Sequence, residues 1–185
     1  MSGRFVCEST PLSGLKRLIR TVSRDERGAF ERLFCQEELA ACFGDKQVSQ
    51  INLSSTVEVG AVRGLHFQYH PFSETKLITC TRGEIFDVAV DIRRSSSTFL
   101  RWFGIKLSEK ENSSLLIPEG FAHGFQVLQP NSQVLYLHSA PYAADSQGVI
   151  NALDPKINIS WPLEIGVRST RDMRQPPLDD SFKGL

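Results

Sequence analysis

The chain carries no net charge: lysine and arginine number 21, aspartate and glutamate 21. No global field draws it to nucleic acid or to an anionic membrane, so any phosphate-binding cations must be local. No apolar segment approaches the length of a membrane span, and the first eight residues hold no apolar run of the signal-peptide kind. Neither G-x-G-x-x-G nor G-x-x-x-x-G-K-[ST] occurs, which removes the two glycine-rich phosphate cradles. Cysteine is sparse. Cys7, Cys35, Cys42 and Cys80 form no C-x-x-C pair and no zinc-ligand spacing, and they read as reduced thiols of a cytoplasmic protein. Repeats, linkers and low-complexity tracts are missing as well, and a chain of 185 residues fits one domain, 1–185.

Helical patterning is scarce. Only Gln36 to Phe43 reads as a helix, with Glu37 and Glu38 suiting its N-terminal end and Gly44 its stop. The rest reads as short strands, 76–81, 85–92, 98–107, 114–117, 124–128 and 133–139, with turn signals at 82–84, 93–97 and 129–132. Such spacing predicts an all-β sandwich or barrel rather than a βαβ fold. Alternation then assigns directions. Lys76, Ile78 and Cys80 share one face of their strand; Val134, Tyr136 and His138 share one face of theirs. In a regular strand Arg63 points away from His66, so both reach one pocket only if Gly64 marks a bulge or kink.

What is present is a set of polar side chains where a core would want valine and leucine: Arg63 and His66, then Lys76, then His123 within Pro118-Glu-Gly-Phe-Ala-His123. A base, a cation for an anionic ligand and a second cation for a developing oxyanion are what proton abstraction beside a carbonyl requires. Taken singly, each has a plainer reading. A strand histidine is more often structural, and a barrel tyrosine such as Tyr136 commonly packs its ring and bonds its hydroxyl to backbone. Lys76 is harder to dismiss, because an inward lysine needs an anionic ligand or a carboxylate. A metal is the rival explanation. Pro118 to His123 matches half of a cupin metal motif, but His66-Phe67-Gln68 places glutamine where a second histidine ligand belongs, and no metal is expected. A diphosphate would fall to arginine side chains, with Arg27, Arg63 and Arg171 the candidates.

Several motifs in order carry a resemblance. They are Asp25-Glu-Arg-Gly28, Gln50-Ile-Asn52, Arg63-Gly-Leu-His-Phe-Gln68, Lys76, Gly83 to Arg93, Ser97-Thr-Phe99, Ile117 to Phe125, Leu135-Tyr136, Asp154-Pro155, Trp161-Pro162 and Ser169-Thr-Arg-Asp172. Together they make the chain similar to the dTDP-4-dehydrorhamnose 3,5-epimerases, a branch of the cupins, from about Thr21 to Phe182. The resemblance implies a double-stranded β-helix, or jelly roll, with a few short peripheral helices. It implies a cytoplasmic homodimer without a cofactor or a metal, acting on a dTDP-linked 4-keto-6-deoxy sugar. It assigns His66 as general base, Asp172 as the carboxylate that orients it, Tyr136 as the acid on the opposite face and Lys76 as the enolate-stabilising cation. His123 lies nearby; Arg27, Gln50, Asn52, Arg63 and Arg171 contact diphosphate or sugar; Tyr142 stacks on the thymine.

Two positions depart from the family pattern. Arg32 stands where a glutamate is usual, with Glu31 one place early, and Gln147 replaces a substrate-contacting glutamate. Both changes are expected to remove negative charge near the ligand end of the pocket. Two other readings stay open at this point: an epimerase acting at C3 or C5 alone, and a cupin that binds a sugar nucleotide without turning it over.

Overall fold

The structure, a computed structural model, describes residues 3–185. Its strands are β1 (Phe5–Ser9), β2 (Lys16–Arg20), β3 (Val22–Asp25), β4 (Gly28–Glu31), β5 (Gln50–Thr56), β6 (Val62–Gln68), β7 (Lys76–Arg82), β8 (Glu84–Asp91), β9 (Trp102–Ser108), β10 (Ser113–Ile117), β11 (Phe121–Val127), β12 (Ser132–His138) and β13 (Gln147–Val149). Helix α1 spans Gln36–Phe43 and α2 spans Thr170–Met173. Two antiparallel sheets face each other, a six-stranded one ordered β1-β2-β10-β7-β12-β5 and a five-stranded one ordered β13-β6-β11-β8-β9. The β3–β4 hairpin stands apart as a two-stranded sheet. This is the all-β jelly roll that the sequence predicts. Among the described residues, no helix is long and apolar enough to cross a membrane.

Three apolar layers explain the burial. Between the sheets, Ile78, Leu115, Ile117 and Val134 meet Ile85, Ala89, Leu107 and Phe125. The outer face of the five-stranded sheet (Leu65, Phe67, Val88, Val90) is covered by the C-terminal segment through Ile150, Ile157, Trp161 and Leu178. The outer face of the six-stranded sheet (Leu18, Leu77, Leu116, Leu137) is covered by Leu39 and Phe43 of α1. Central strands packed on both faces read as nearly continuous apolar runs, as in Ile85 to Ile92. A polar side chain inside such a run then calls for a buried partner or a cavity.

Helix α1 begins and ends where its sequence predicts; Gly44 adopts φ 71° and donates its N–H to the Ala40 carbonyl. Three expectations are corrected. Cys7 and Cys42 are not free thiols but form a disulfide between β1 and α1, which lie together at one edge of the six-stranded sheet; Cys35 and Cys80 remain free. The strand expected at 98–107 starts only at Trp102, because Asp91 gathers the side chains of Arg93, Ser96 and Thr98 into a turn first. The strand expected at 124–128 begins earlier, at Phe121.

Burial alone would raise the Asp91 carboxyl, but hydrogen bonds from Arg93, Ser96 and Thr98 hold it down at about 2. A depressed folded-state value stabilises the fold above the ordinary carboxyl range and loses that contribution as the pH falls toward 2. Asp91→Asn is therefore expected to cost about 2 kcal/mol at pH 7. In urea titrations from pH 7 downward, the gap between parent and variant should close between about pH 4 and pH 2.

Candidate functional site

The site grows from a break in β6. Gly64 adopts φ 118°, and a Cβ there would fall 2.6 Å from Gly124 Cα and 2.7 Å from the His123 carbonyl oxygen. Against β11, His66 pairs with His123 and Arg63 with Phe125, so three steps on one strand oppose two on the other. That bulge turns Arg63 and His66 into the same cavity, as the sequence requires.

The cavity, of about 690 Å³, opens between the sheets. On the five-stranded side, His66 Nε2 lies 2.8 Å from Asp172 Oδ1. Asp172 sits on α2, whose N-cap Ser169 accepts a hydrogen bond from the Asp172 N–H, so the cap fixes the carboxylate behind the imidazole. Burial works against ionisation of Asp172, yet the hydrogen bond and charge of His66 hold it below the usual carboxylate range. Deeper in, His123 Nε2 lies 2.7 Å from Asp87 Oδ1. Burial pushes His123 below the ordinary histidine range despite that partner, so the ring is neutral near pH 7.

On the six-stranded side stand Lys76 of β7 and Tyr136 and His138 of β12, with Gln50 and Asn52 of β5 beside them. Lys76 is only 5% exposed. Its Nζ lies 3.1 Å from Glu74 Oε1 and donates to the His66 carbonyl oxygen at 3.1 Å. The other Glu74 oxygen accepts from His138 Nδ1 at 2.7 Å. Burial pushes the Tyr136 phenol far above its ordinary range, so it stays protonated; its hydroxyl lies 3.4 Å from Ser54 Oγ. The base and acid candidates thus face each other from opposite sheets.

At the rim, Gln147 Oε1 accepts hydrogen bonds from the Tyr142 hydroxyl (3.1 Å) and Arg171 Nη1 (2.5 Å). Arg63 lines the cavity and donates from Nε to Thr56 Oγ1. Gln68 spends its amide on the Phe72 and Pro141 carbonyls and the Ala143 N–H, so it braces a loop rather than presenting a free ligand atom. Among the described residues, no group of three or more histidine, cysteine or acidic side chains is arranged to hold a metal ion.

Two sequence expectations need correction. Arg27 lies at the tip of the β3–β4 hairpin, paired with Asp25 at 2.6 Å and 86% exposed, outside the cavity of its own chain. Arg32 is outside it too: it pairs with Glu38 of α1, while the neighbouring Glu31 pairs with Arg20, so residue 32 does not change the charge of this cavity. Glu74, Asp87 and His138 are site residues that the sequence analysis did not single out. Each left a signal. His138 stands two residues from Tyr136 on the same strand face, Glu74 stands two residues before Lys76 in the segment that enters β7, and Asp87 is a charge inside an apolar run.

The sequence profile of the dTDP-4-dehydrorhamnose 3,5-epimerases matches residues 9–180. A dTDP-4-dehydrorhamnose 3,5-epimerase of Sinorhizobium fredii is 41% identical over 155 residues, covering 83% of this chain and 80% of that protein. The crystal structure of the Bacillus anthracis enzyme with TDP and pyrophosphate bound superposes with a TM-score of 0.90 at 36% identity, covering 94% of this chain and 99% of that one. The Legionella pneumophila enzyme in complex with dTDP-4-keto-L-rhamnose superposes with a TM-score of 0.87 at 35% identity, covering 91% and 90%. A match over nearly the whole chain, in sequence and in fold alike, makes this protein a member of the dTDP-4-dehydrorhamnose 3,5-epimerase family.

Proposed function

We propose that this protein epimerises a dTDP-4-keto-6-deoxyhexose at C3 and C5. The observation that carries the reading is His66 of the five-stranded sheet, backed by Asp172 of α2, facing Lys76 and Tyr136 of the six-stranded sheet across a single cavity. In a 4-keto sugar the hydrogens at C3 and C5 are both α to the carbonyl. His66 Nε2 is engaged by Asp172, which leaves Nδ1 as the atom that takes the proton. The C–H electron pair forms the C=C bond of the enolate, the carbonyl π pair moves to the oxygen, and Lys76 stabilises the resulting enolate in a water-poor pocket. Tyr136, kept protonated by burial, returns a proton from the opposite side and inverts the centre. His66 and Tyr136 then reset by exchange with water.

The remaining assignments belong to the same reading. Arg63, with Gln50 and Asn52, contacts diphosphate or sugar, and Tyr142 and Arg171 at the rim meet the base and its phosphates. Gln147, bonded to both rim residues, offers an amide where the family pattern has a carboxylate. The chemistry needs no metal, since a lysine serves the oxyanion and Gln68 is committed to backbone. The working unit is a homodimer. Supporting this are the exposed apolar side chains of edge strand β5 (Ile51, Leu53) and of the β3–β4 hairpin (Phe30), and an exposed Arg27 that lies outside the cavity of its own chain. Its place is the cytoplasm, with the Cys7–Cys42 bond on the sheet face turned away from the cavity.

The test is proton exchange in D₂O with dTDP-4-keto-6-deoxyglucose, followed by NMR at each carbon. Deuterium should enter at C3 and C5, with inversion at both. Exchange at one carbon only would make this a mono-epimerase, and binding without exchange would make it a non-catalytic cupin.

A further inference from the structure

Lys76 Nζ has three N–H bonds to place. One meets Glu74 Oε1 at 3.1 Å and one the His66 carbonyl at 3.1 Å, which leaves one directed into the cavity. Glu74 is itself nearly buried, with a side chain 7% exposed, and neither of its oxygens is idle: Oε2 accepts from His138 Nδ1 at 2.7 Å. A carboxylate hydrogen-bonded through one oxygen and ion-paired through the other is held from both ends, so it can orient the lysine as well as neutralise it.

We propose that Glu74 is a positioning residue of this site, keeping Lys76 charged and aiming its remaining N–H at the enolate oxygen, while His138 locks the carboxylate in place. The inference rests on the reading of Lys76 as the oxyanion cation. It extends to the other groups that face Lys76. Asp172 is bonded to His66, and Asp87 to His123, which is held neutral by burial. Tyr136, stacked on His138 with ring centroids 5.8 Å apart, stays protonated. Among the described residues, Glu74 is therefore the carboxylate within ion-pair distance of Lys76. His138 lines the cavity with its Nδ1 committed to Glu74.

Removing the negative charge should do two things that a merely structural role would not. A buried lysine without its anion loses its proton at lower pH, so the alkaline limb of the kcat profile should move acidward. The N–H that meets the enolate is realised only in the transition state, so kcat should fall while KM hardly moves.

The experiment compares Glu74→Gln, Glu74→Asp and Lys76→Met with the parent, using dTDP-4-keto-6-deoxyglucose from pH 6 to 10 and thermal melts as a folding control. For Glu74→Gln the expected result is a kcat lower by about tenfold or more, a KM within about threefold, and an alkaline limb about one pH unit or more lower. Glu74→Asp should return the limb toward the parent's while kcat stays depressed, because the charge is restored but drawn back by one methylene. An alkaline limb in Glu74→Gln that overlays the parent's, with kcat unchanged, overturns the inference. If Glu74→Gln does not fold, Glu74→Asp decides alone, and a parent-like kcat there overturns it. Parent-like turnover in Lys76→Met is a different result: it removes the role of Lys76 itself.

Discussion

His66→Asn is expected to give a folded protein that no longer exchanges the hydrogens at C3 or C5, with kcat lower by about a thousandfold or more. The reason is positional as well as chemical. His66 is a third exposed at its side chain, in a cavity wall, and its imidazole is held from behind by Asp172, a carboxylate that is itself only 4% exposed. That pair can accept a proton and stabilise the imidazolium that forms. Neither of the other two cavity histidines can replace it. His123 is buried and paired with Asp87, while His138 stands on the sheet of Lys76 and Tyr136, on the acid's side of the ring. Because the replaced side chain is partly solvated, stability should change by about 1 kcal/mol or less. Binding of dTDP should persist, since the residues proposed to contact the nucleotide lie elsewhere. Substantial exchange in a variant with a parent-like melting curve would remove His66 from the role of base.

Tyr136→Phe should separate the two halves of the reaction. The substitution deletes one hydroxyl at nearly constant volume; among the described residues that hydroxyl has a single hydrogen-bond partner, the distant Ser54 Oγ, so the packing of the ring survives. Deuterium should still enter on the side of His66, because the base and Lys76 are untouched. Inversion should fall by about a hundredfold, and returned substrate should carry label with its configuration retained. NMR of the recovered sugar reads both quantities in one sample. Inversion of both centres at the parent rate would place the acid elsewhere, with Tyr142 or a water molecule the next to test.

The fold was readable where strands are buried on both faces. β7, β8, β10, β11 and β12 carry apolar runs broken by turn residues, and their limits in the structure differ from the sequence reading by a few residues at most. β3 and β4 were not readable, because they are exposed and nothing in Val22–Glu31 alternates against a core. The cavity was legible on the same principle. Lys76 and Tyr136 stood out as polar groups on inward faces, and the bulge at Gly64 followed from requiring Arg63 and His66 in one place. The His66–Asp172 pair could not be read from periodicity, because 106 residues separate the partners and a four-residue helix is too short to show a pattern. It came from the family resemblance alone. The Cys7–Cys42 bond was hidden for the same reason of distance. Glu74 was visible in principle: an inward lysine demanded an anion, and the anion lay two residues before it, in the segment that enters β7.

The facing glycines of β6 and β11 set a constraint on how this sequence can change over time. A methyl at Gly64 strikes Gly124 Cα and the His123 carbonyl oxygen, and a methyl at Gly124 strikes the Arg63 carbonyl oxygen at 2.6 Å. These obstacles are main chain, which no compensating side-chain replacement can withdraw, although at Gly124 the Leu65 side chain adds a further clash. Neither position can therefore be altered first with the other to follow, and no neighbouring substitution opens a detour. Descendants of this protein can vary its rim and its hairpin step by step, but they inherit the crossing at Gly64 and Gly124 whole or lose the shared orientation of Arg63 and His66 with it.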